Sequence, residues 1–195
     1  MGRWSELFHL KPDPFAESGK NGKHKGSQDQ AGLSLRLCLF RDVKNAQELR
    51  EMLKEGKIEC ALIRPELILE VFQVLAAASR AVHCAEHGKL STKNLHTEIV
   101  YALSPTRNIS ESLLTFGIHE ESRDVLVAVA HDEKGDKLTK IARKIKGRPT
   151  QLAQLKNIAD YNLICQVYHV KEPELNKSTI LDAIVTRIVA KDYAS

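Results

Sequence analysis

The chain has 195 residues, of which 43% are hydrophobic and 28% charged, and it carries a net charge of +4. That length suits one domain of roughly 150 residues plus a tail, large enough to bury a core without disulfides or a structural metal. The mild basic excess is compatible with an RNA partner but does not demand one. No apolar run approaches the ~20 residues of a membrane-spanning helix. The first ten residues are interrupted by Arg3, Glu6 and His9, with Pro12 and Pro14 following, which is unlike a secretory leader. Cys38, Cys60, Cys84 and Cys165 are scattered in apolar contexts without a CxxC pair. They read as reduced, buried thiols of a cytoplasmic and nuclear protein. Asn108-Ile109-Ser110 and Asn176-Lys177-Ser178 match the glycosylation acceptor pattern, which is idle without a leader.

In chain order, Trp4, Leu7, Phe8 and Leu10 suggest a short edge strand or docked segment. Residues 18–32 are glycine, lysine and polar residues without apolar periodicity, and are expected to be a flexible insertion. Residues 33–40 alternate and then become continuously apolar, as a central strand does. Residues 45–55 form a helix, with Asn45 and Glu48 at capping-box spacing and Gly56 as its stop. A short strand spans 60–63 and halts at Arg64-Pro65. A strong helix covers 71–86 and ends before Gly88.

Residues 92–103 suggest a further helix ended by Ser104-Pro105, and Asn108 with Glu111 caps another that Gly117 terminates. Residues 124–130 are a β-branched strand. Residues 138–146 form a basic helix, with Gly147 and Pro149 beyond its end. Residues 163–170 fit a strand or a helix, and 178–190 form a helix capped by Ser178. The sum is one α/β domain over residues 33–195, with a small mixed sheet of three or four strands surrounded by helices. Residues 1–32 precede it as an N-terminal segment.

The chemistry of catalysis is missing from this pattern. A phosphate loop needs glycines that bring backbone N–H groups to the phosphates, and neither GxxxxGK[ST] nor GxGxxG occurs. A serine elbow of the GxSxG type is also absent. His83 and His87 stand four residues apart on one helix, but two histidines fall short of the four ligands of a structural zinc, so they read as ordinary side chains. Asp42, Asp124 and Asp132 fall near strand ends, where turn and cap roles are commoner than catalysis.

Two features point to binding instead. The 71–86 helix is apolar nearly all round, and the last helix carries Ile180, Leu181, Ile184, Val185, Ile188 and Val189 as a double-width stripe. Either both helices simply pack in the core, or one flank docks another protein. Between Lys134 and Lys156 there are eight basic residues against Asp136 alone. Lys137, Lys140 and Lys144 have the spacing of one helix face, which suits phosphate contact and equally suits a solvated surface.

At this point specific motifs become recognisable. Phe40-Arg41-Asp42-Val43-Lys44-Asn45-Ala46 with Leu49-Arg50, the turn Ile63-Arg64-Pro65, and the helix from Phe72 to His83 occur in order. Thr97-Glu98-Ile99, Leu103-Ser104-Pro105, Asn108-Ile109-Ser110-Glu111, Phe116-Gly117-Ile118, and Leu181-Asp182-Ala183-Ile184 with Arg187 and Lys191-Asp192 follow. Together they resemble the kinase-binding (TPRKB/CGI-type) subunits of the EKC/KEOPS tRNA-modifying assembly.

That resemblance implies an α/β protein with no catalytic, cofactor or metal site. It implies a non-catalytic subunit that binds the assembly's small atypical kinase/ATPase directly and its other subunits indirectly. Such a subunit supports threonylcarbamoylation of the tRNA adenosine beside the anticodon and helps to hold the tRNA. Combined with the helix patterns, it nominates Ser79, Arg80, Val82, His83, Leu181, Ile184, Val185 and Ile188 for the kinase surface. Lys89, Lys93, Arg107, Lys137, Lys140, Lys144 and Lys146 are nominated for tRNA. The chain departs from the family pattern in its 18–32 insertion, in its basic 134–156 run, and in Ser79-Arg80 where relatives carry Asn-Lys. The alternatives are a stand-alone RNA-binding protein that uses the basic 134–156 segment, or a small enzyme whose site is invisible in the sequence.

Overall fold

A computed structural model of the chain describes residues 5–10, 33–176 and 178–191. Trp4 and the 18–32 insertion lie outside the described residues. The fold is organised by β2 (Leu33–Arg41), whose period-two alternation sends Leu35, Leu37 and Leu39 to one side and Cys38 and Phe40 to the other. On one edge it pairs with β4 (Val125–Ala130). The other edge is shared, with β1 (Ser5–Leu10) along residues 33–38 and β5 (Arg148–Thr150) along residues 39–41. A third neighbour, β3 (Ala61–Ile63), pairs with β4 and forms the far edge, giving the order β1-β2-β4-β3.

The domain is α/β, as the sequence indicates, but the sheet has five strands among the described residues and every pairing is antiparallel rather than mixed. The strand that the sequence reading does not include is β5, a three-residue piece just past the basic helix, where Pro149 and its neighbours carry no apolar alternation.

Both faces of the sheet are covered, which is why β4 is buried at all six positions. Leu126, Ala128 and Ala130 face a layer built from α2 (Val71–Glu86), α3 (Leu95–Leu103) and α9 (Ile180–Val189), with Ile164 of α7 (Tyr161–Val167) also in it. Val125, Val127 and Val129 face α1 (Ala46–Lys54) and α5 (Asp136–Ala142). Helix α4 (Ile109–Phe116) packs on α3, and short α6 (Leu155–Ile158) and α8 (Glu172–Leu175) complete the chain.

Several local expectations hold. Gly56 and Gly88 follow α1 and α2 at φ +70° and +65°, the left-handed region where glycine avoids the Cβ clash. Asn108 caps α4 by accepting the Glu111 N–H at 3.2 Å. Others give way to tertiary contacts. Asn45 makes no cap hydrogen bond, because its side chain is drawn to the far end of the α5 segment. There it donates to the Lys144 carbonyl and accepts from the Lys146 N–H, each at 2.9 Å. Helix α3 starts at Leu95, since Thr92 turns both its N–H and its hydroxyl onto buried Glu98 at 2.8 and 2.7 Å. Helix α5 stops at Ala142, short of Lys146, and the ambiguous 163–170 stretch lies mostly in α7. The cap of α9 is Thr179, not Ser178: it forms a reciprocal box with Asp182.

Candidate partner-binding surface

Helix α2 lies against α3 and α9 through its small residues. Ala77, Ala78 and Ala81 are fully buried, and their size lets neighbouring helices approach closely. Gln73 is buried as well, a polar residue that the apolar pattern of the helix conceals. Its Nε2 donates to the Leu67 carbonyl and to the Tyr168 hydroxyl, both at 2.9 Å, and its Oε1 accepts from the Leu69 N–H at 3.0 Å. The Tyr168 hydroxyl donates in turn to the Leu103 carbonyl at 2.6 Å, while its ring meets Phe116 edge-on at 5.7 Å. Burial pushes the Tyr168 hydroxyl pKa up, so it stays a donor at every physiological pH.

The opposite flank of α2 is open. Phe72 is 55% exposed, and Ser79 and His83 are exposed along the same face at positions 72, 79 and 83. Arg80 and Val82 are half-buried beside them. On α9, Leu181 and Val185 are half-buried and Val189 is 57% exposed, a stripe at i, i+4, i+8. Arg187 fixes the helix from its other side through two bonds to Glu174 at 2.7 and 2.8 Å, a bidentate pair that holds the Glu174 carboxyl below its usual pKa.

Of the residues nominated for this surface, Ile184 and Ile188 are placed elsewhere. Both are fully buried and belong to the core under α2 and the sheet. A double-width stripe has an inner and an outer half, and these two side chains form the inner one. Phe72 and Val189 are the large apolar groups that the surface presents instead. Their spacing with Ser79 and Val185 carries the signal, but no rule of periodicity says which half of a wide stripe faces inward.

The charged candidates divide between the two sides of the sheet. Lys89 and Lys93 are exposed in the segment before α3, and Arg107 is exposed after its end, where its Nε donates to the Lys191 carbonyl at 3.2 Å. Lys137 and Lys140 are exposed on α5, in the opposite layer. Because α5 ends at Ala142, Lys144 falls off their shared face, and its Nζ donates to the Lys57 carbonyl at 3.2 Å. The Lys146 ammonium pairs with the Glu48 carboxylate at 3.1 Å. The expected stripe of Lys137, Lys140 and Lys144 is therefore interrupted.

Residues that resembled catalytic or metal-binding groups have structural partners. Asp132 accepts the N–H groups of Lys137 and Leu138 at 3.1 and 2.9 Å, which caps the start of α5. Asp124 accepts from the Asp42 N–H at 3.4 Å. The His83 and His87 rings lie 4.2 Å apart, with His87 Nδ1 2.8 Å from the His83 carbonyl oxygen. No group of three or more His, Cys, Asp or Glu side chains suited to a metal occurs among the described residues. Burial pushes the Cys38 and Cys60 thiols up to about 12, so neither is a nucleophile at neutral pH. No helix among the described residues is long and apolar enough to cross a membrane.

Comparison with known proteins identifies the family of the chain. Residues 40–192 match the family described as Kinase binding protein CGI-121. The chain is 39% identical over 157 residues to the EKC/KEOPS complex subunit TPRKB of Danio rerio, covering 80% of this chain and 90% of that one. It is 34% identical over 146 residues to the EKC/KEOPS complex subunit cgi121 of Aspergillus fumigatus, covering 71% and 77%. The matching subunit of Eremothecium gossypii is 32% identical over 166 residues, covering 80% and 90%. With most of the domain matched and identity of this level over nearly whole relatives, the chain belongs to the CGI-121 family of kinase binding proteins.

Proposed function

We propose that the protein is a non-catalytic subunit of an EKC/KEOPS complex, which binds the small atypical kinase/ATPase subunit through the outer flank of α2 and α9. The observation that carries this reading is the pair of packed helices that keeps Phe72 and Val189 in solvent although each is a large apolar side chain. Family membership supplies the class of partner. Ser79, Arg80, Val82, His83, Leu181 and Val185 surround the two exposed groups, while Ile184 and Ile188 support them from beneath. Acting within the complex, the subunit supports threonylcarbamoyladenosine formation on tRNA, and its exposed lysines help to hold the tRNA. It works in the cytoplasm and nucleus. Calorimetric titration of the full chain with the kinase subunit tests the reading. Tight one-to-one binding that is weakened by Val189→Glu supports it, and the absence of any complex overturns it.

A further inference from the structure

Beside β3 the structure opens a cleft of about 540 Å³, in the size range that accepts a drug-sized ligand or a few residues of peptide. Leu53 and Lys54 of α1, Val100 of α3, and Leu113 and Leu114 of α4 form its walls. None of its lining residues belongs to α2 or α9, so the cleft is separate from the kinase surface proposed above. Leu114, 63% exposed, continues its apolar wall onto the outside.

The floor is the outer edge of β3, the last strand in the order of the sheet. The Arg64 N–H bonds the Phe116 carbonyl at 2.9 Å, on the side of β3 away from β4. Backbone groups alternate along a strand, so the Leu62 N–H and Cys60 carbonyl point the same way, into the cleft. No hydrogen bond to either group is found among the described residues outside the strand ladder. The bridge between Ile63 and Gly117 closes the edge just beyond them.

His96 supplies a second unpaired donor. Strand β3 begins at Ala61, opposite Ala128, so the Ala130 N–H lies past its end, and His96 Nε2 accepts it at 3.0 Å. A backbone N–H can only donate, so Nε2 carries no proton and the neutral ring bears its hydrogen on Nδ1. Burial holds this ring's pKa down to about 4, which keeps it neutral at physiological pH. The residue is 6% exposed and lines the cleft, yet Nδ1 has no hydrogen-bond partner among the described residues. The Glu59 carboxylate stands 3.9 Å away, beyond hydrogen-bond reach. Buried donors left unpaired are rare in folded proteins, and each calls for an acceptor.

We propose that this cleft docks an extended peptide segment of a partner protein. The segment pairs with the β3 edge at Cys60 and Leu62, lays an apolar side chain against Leu53, Val100 and Leu114, and places an oxygen on His96 Nδ1–H. A backbone amide supplies both the acceptor that Leu62 lacks and the donor that Cys60 lacks, which is the chemistry of strand addition. RNA fits less well, because among the described residues no Phe, Tyr or Trp lines the cleft to stack a base.

Selection of a phage-displayed random peptide library on the full chain, followed by titration of the enriched synthetic peptide, tests the proposal. Amide exchange reports on the Leu62 N–H, and a single-stranded RNA hexamer is titrated in parallel. The expected results are a slowed Leu62 amide in the peptide complex and affinity at least about tenfold weaker in Leu114→Asp and His96→Phe, roughly 1.4 kcal/mol. Should His96→Phe fail to fold, exposed Leu114→Asp decides alone. Failure to enrich any peptide, a bound peptide that leaves Leu62 and Leu114→Asp indifferent, or occupation of the cleft by the RNA hexamer each overturns it. Kinase binding is unaffected by either variant if the two surfaces are independent, so failure of one reading is distinguishable from failure of the other.

Discussion

The Lys191 ammonium sits 3.2 Å above the centre of the Tyr101 ring and also donates to the backbone carbonyl of Tyr101. Lys191 is buried, and Arg107 grips its carbonyl, so the residue just past α9 is fastened to the end of α3 from both sides. This attachment sets how α9 lies on the domain, and with it the outer flank proposed for the kinase. Removing the cation in Lys191→Met leaves the Tyr101 carbonyl without its charged donor. A loss of about 1–3 kcal/mol in unfolding free energy is expected by denaturant titration, with kinase affinity falling in the same variant.

Tyr168→Phe isolates a second buried network. It removes the hydroxyl that donates to Leu103 and accepts from Gln73, taking that donor from the buried Leu103 carbonyl and leaving Gln73 Nε2 with the Leu67 carbonyl alone, while the ring contact with Phe116 survives. The expected cost is again about 1–3 kcal/mol. The double variant Tyr168→Phe/Gln73→Leu should lose less than the sum of the two single changes, because the partners disappear together.

The two halves of the α9 stripe should separate cleanly. Val189→Glu places a charge on an exposed position and is expected to leave unfolding unchanged. Burying such a side chain at an interface contributes roughly 1.5–3 kcal/mol, so kinase affinity should fall about 10- to 100-fold. Ile184→Glu puts a charge in the core and should prevent folding before any partner is met. Calorimetric titration together with a thermal melt of each variant distinguishes the two outcomes.

His96 makes stability depend on acid. Its pKa is lowered by burial from 6.5 to about 4 in the folded chain, so between those values the unfolded chain binds a proton that the folded chain refuses. The contribution is complete above about pH 6.5 and is lost progressively as pH falls toward 4. Relative to His96→Gln, the wild type should lose on the order of 3 kcal/mol across that window. Equal slopes in the two proteins would show that the ring titrates normally.

For tRNA, the two basic groups lie on opposite layers of the sheet and can be neutralised separately. If Lys89 and Lys93 touch phosphates, their replacement by Gln should lower the salt slope of binding by about 0.7–0.9 for each phosphate no longer neutralised. The same measurement on Lys137→Gln/Lys140→Gln tests the α5 layer. Lys144 and Lys146, engaged with Lys57 and Glu48, should contribute less than their place in the basic run suggests. An unchanged slope in both pairs would mark the basic excess as solvated surface.

Local chemistry decided much of this protein before any packing. The alternation of β2, the β-branched run of β4, and the span of α2 closed by Gly88 each follow from side-chain period and backbone sterics, which act within a few residues. The family motifs are likewise contiguous strings, and they carried the identification. What only the tertiary structure decided are relations between distant segments. Asn45 abandoned its capping role for Lys144 and Lys146, about a hundred residues away, and Thr150 found a ladder partner in Leu39. Whether Ile184 or Val185 faces a partner depended on which half of a wide stripe the sheet claims, since burial is settled by the neighbouring layers. The orphan donor of His96 is of the same kind: it exists because β3 starts at Ala61, one pleat too late to meet Ala130.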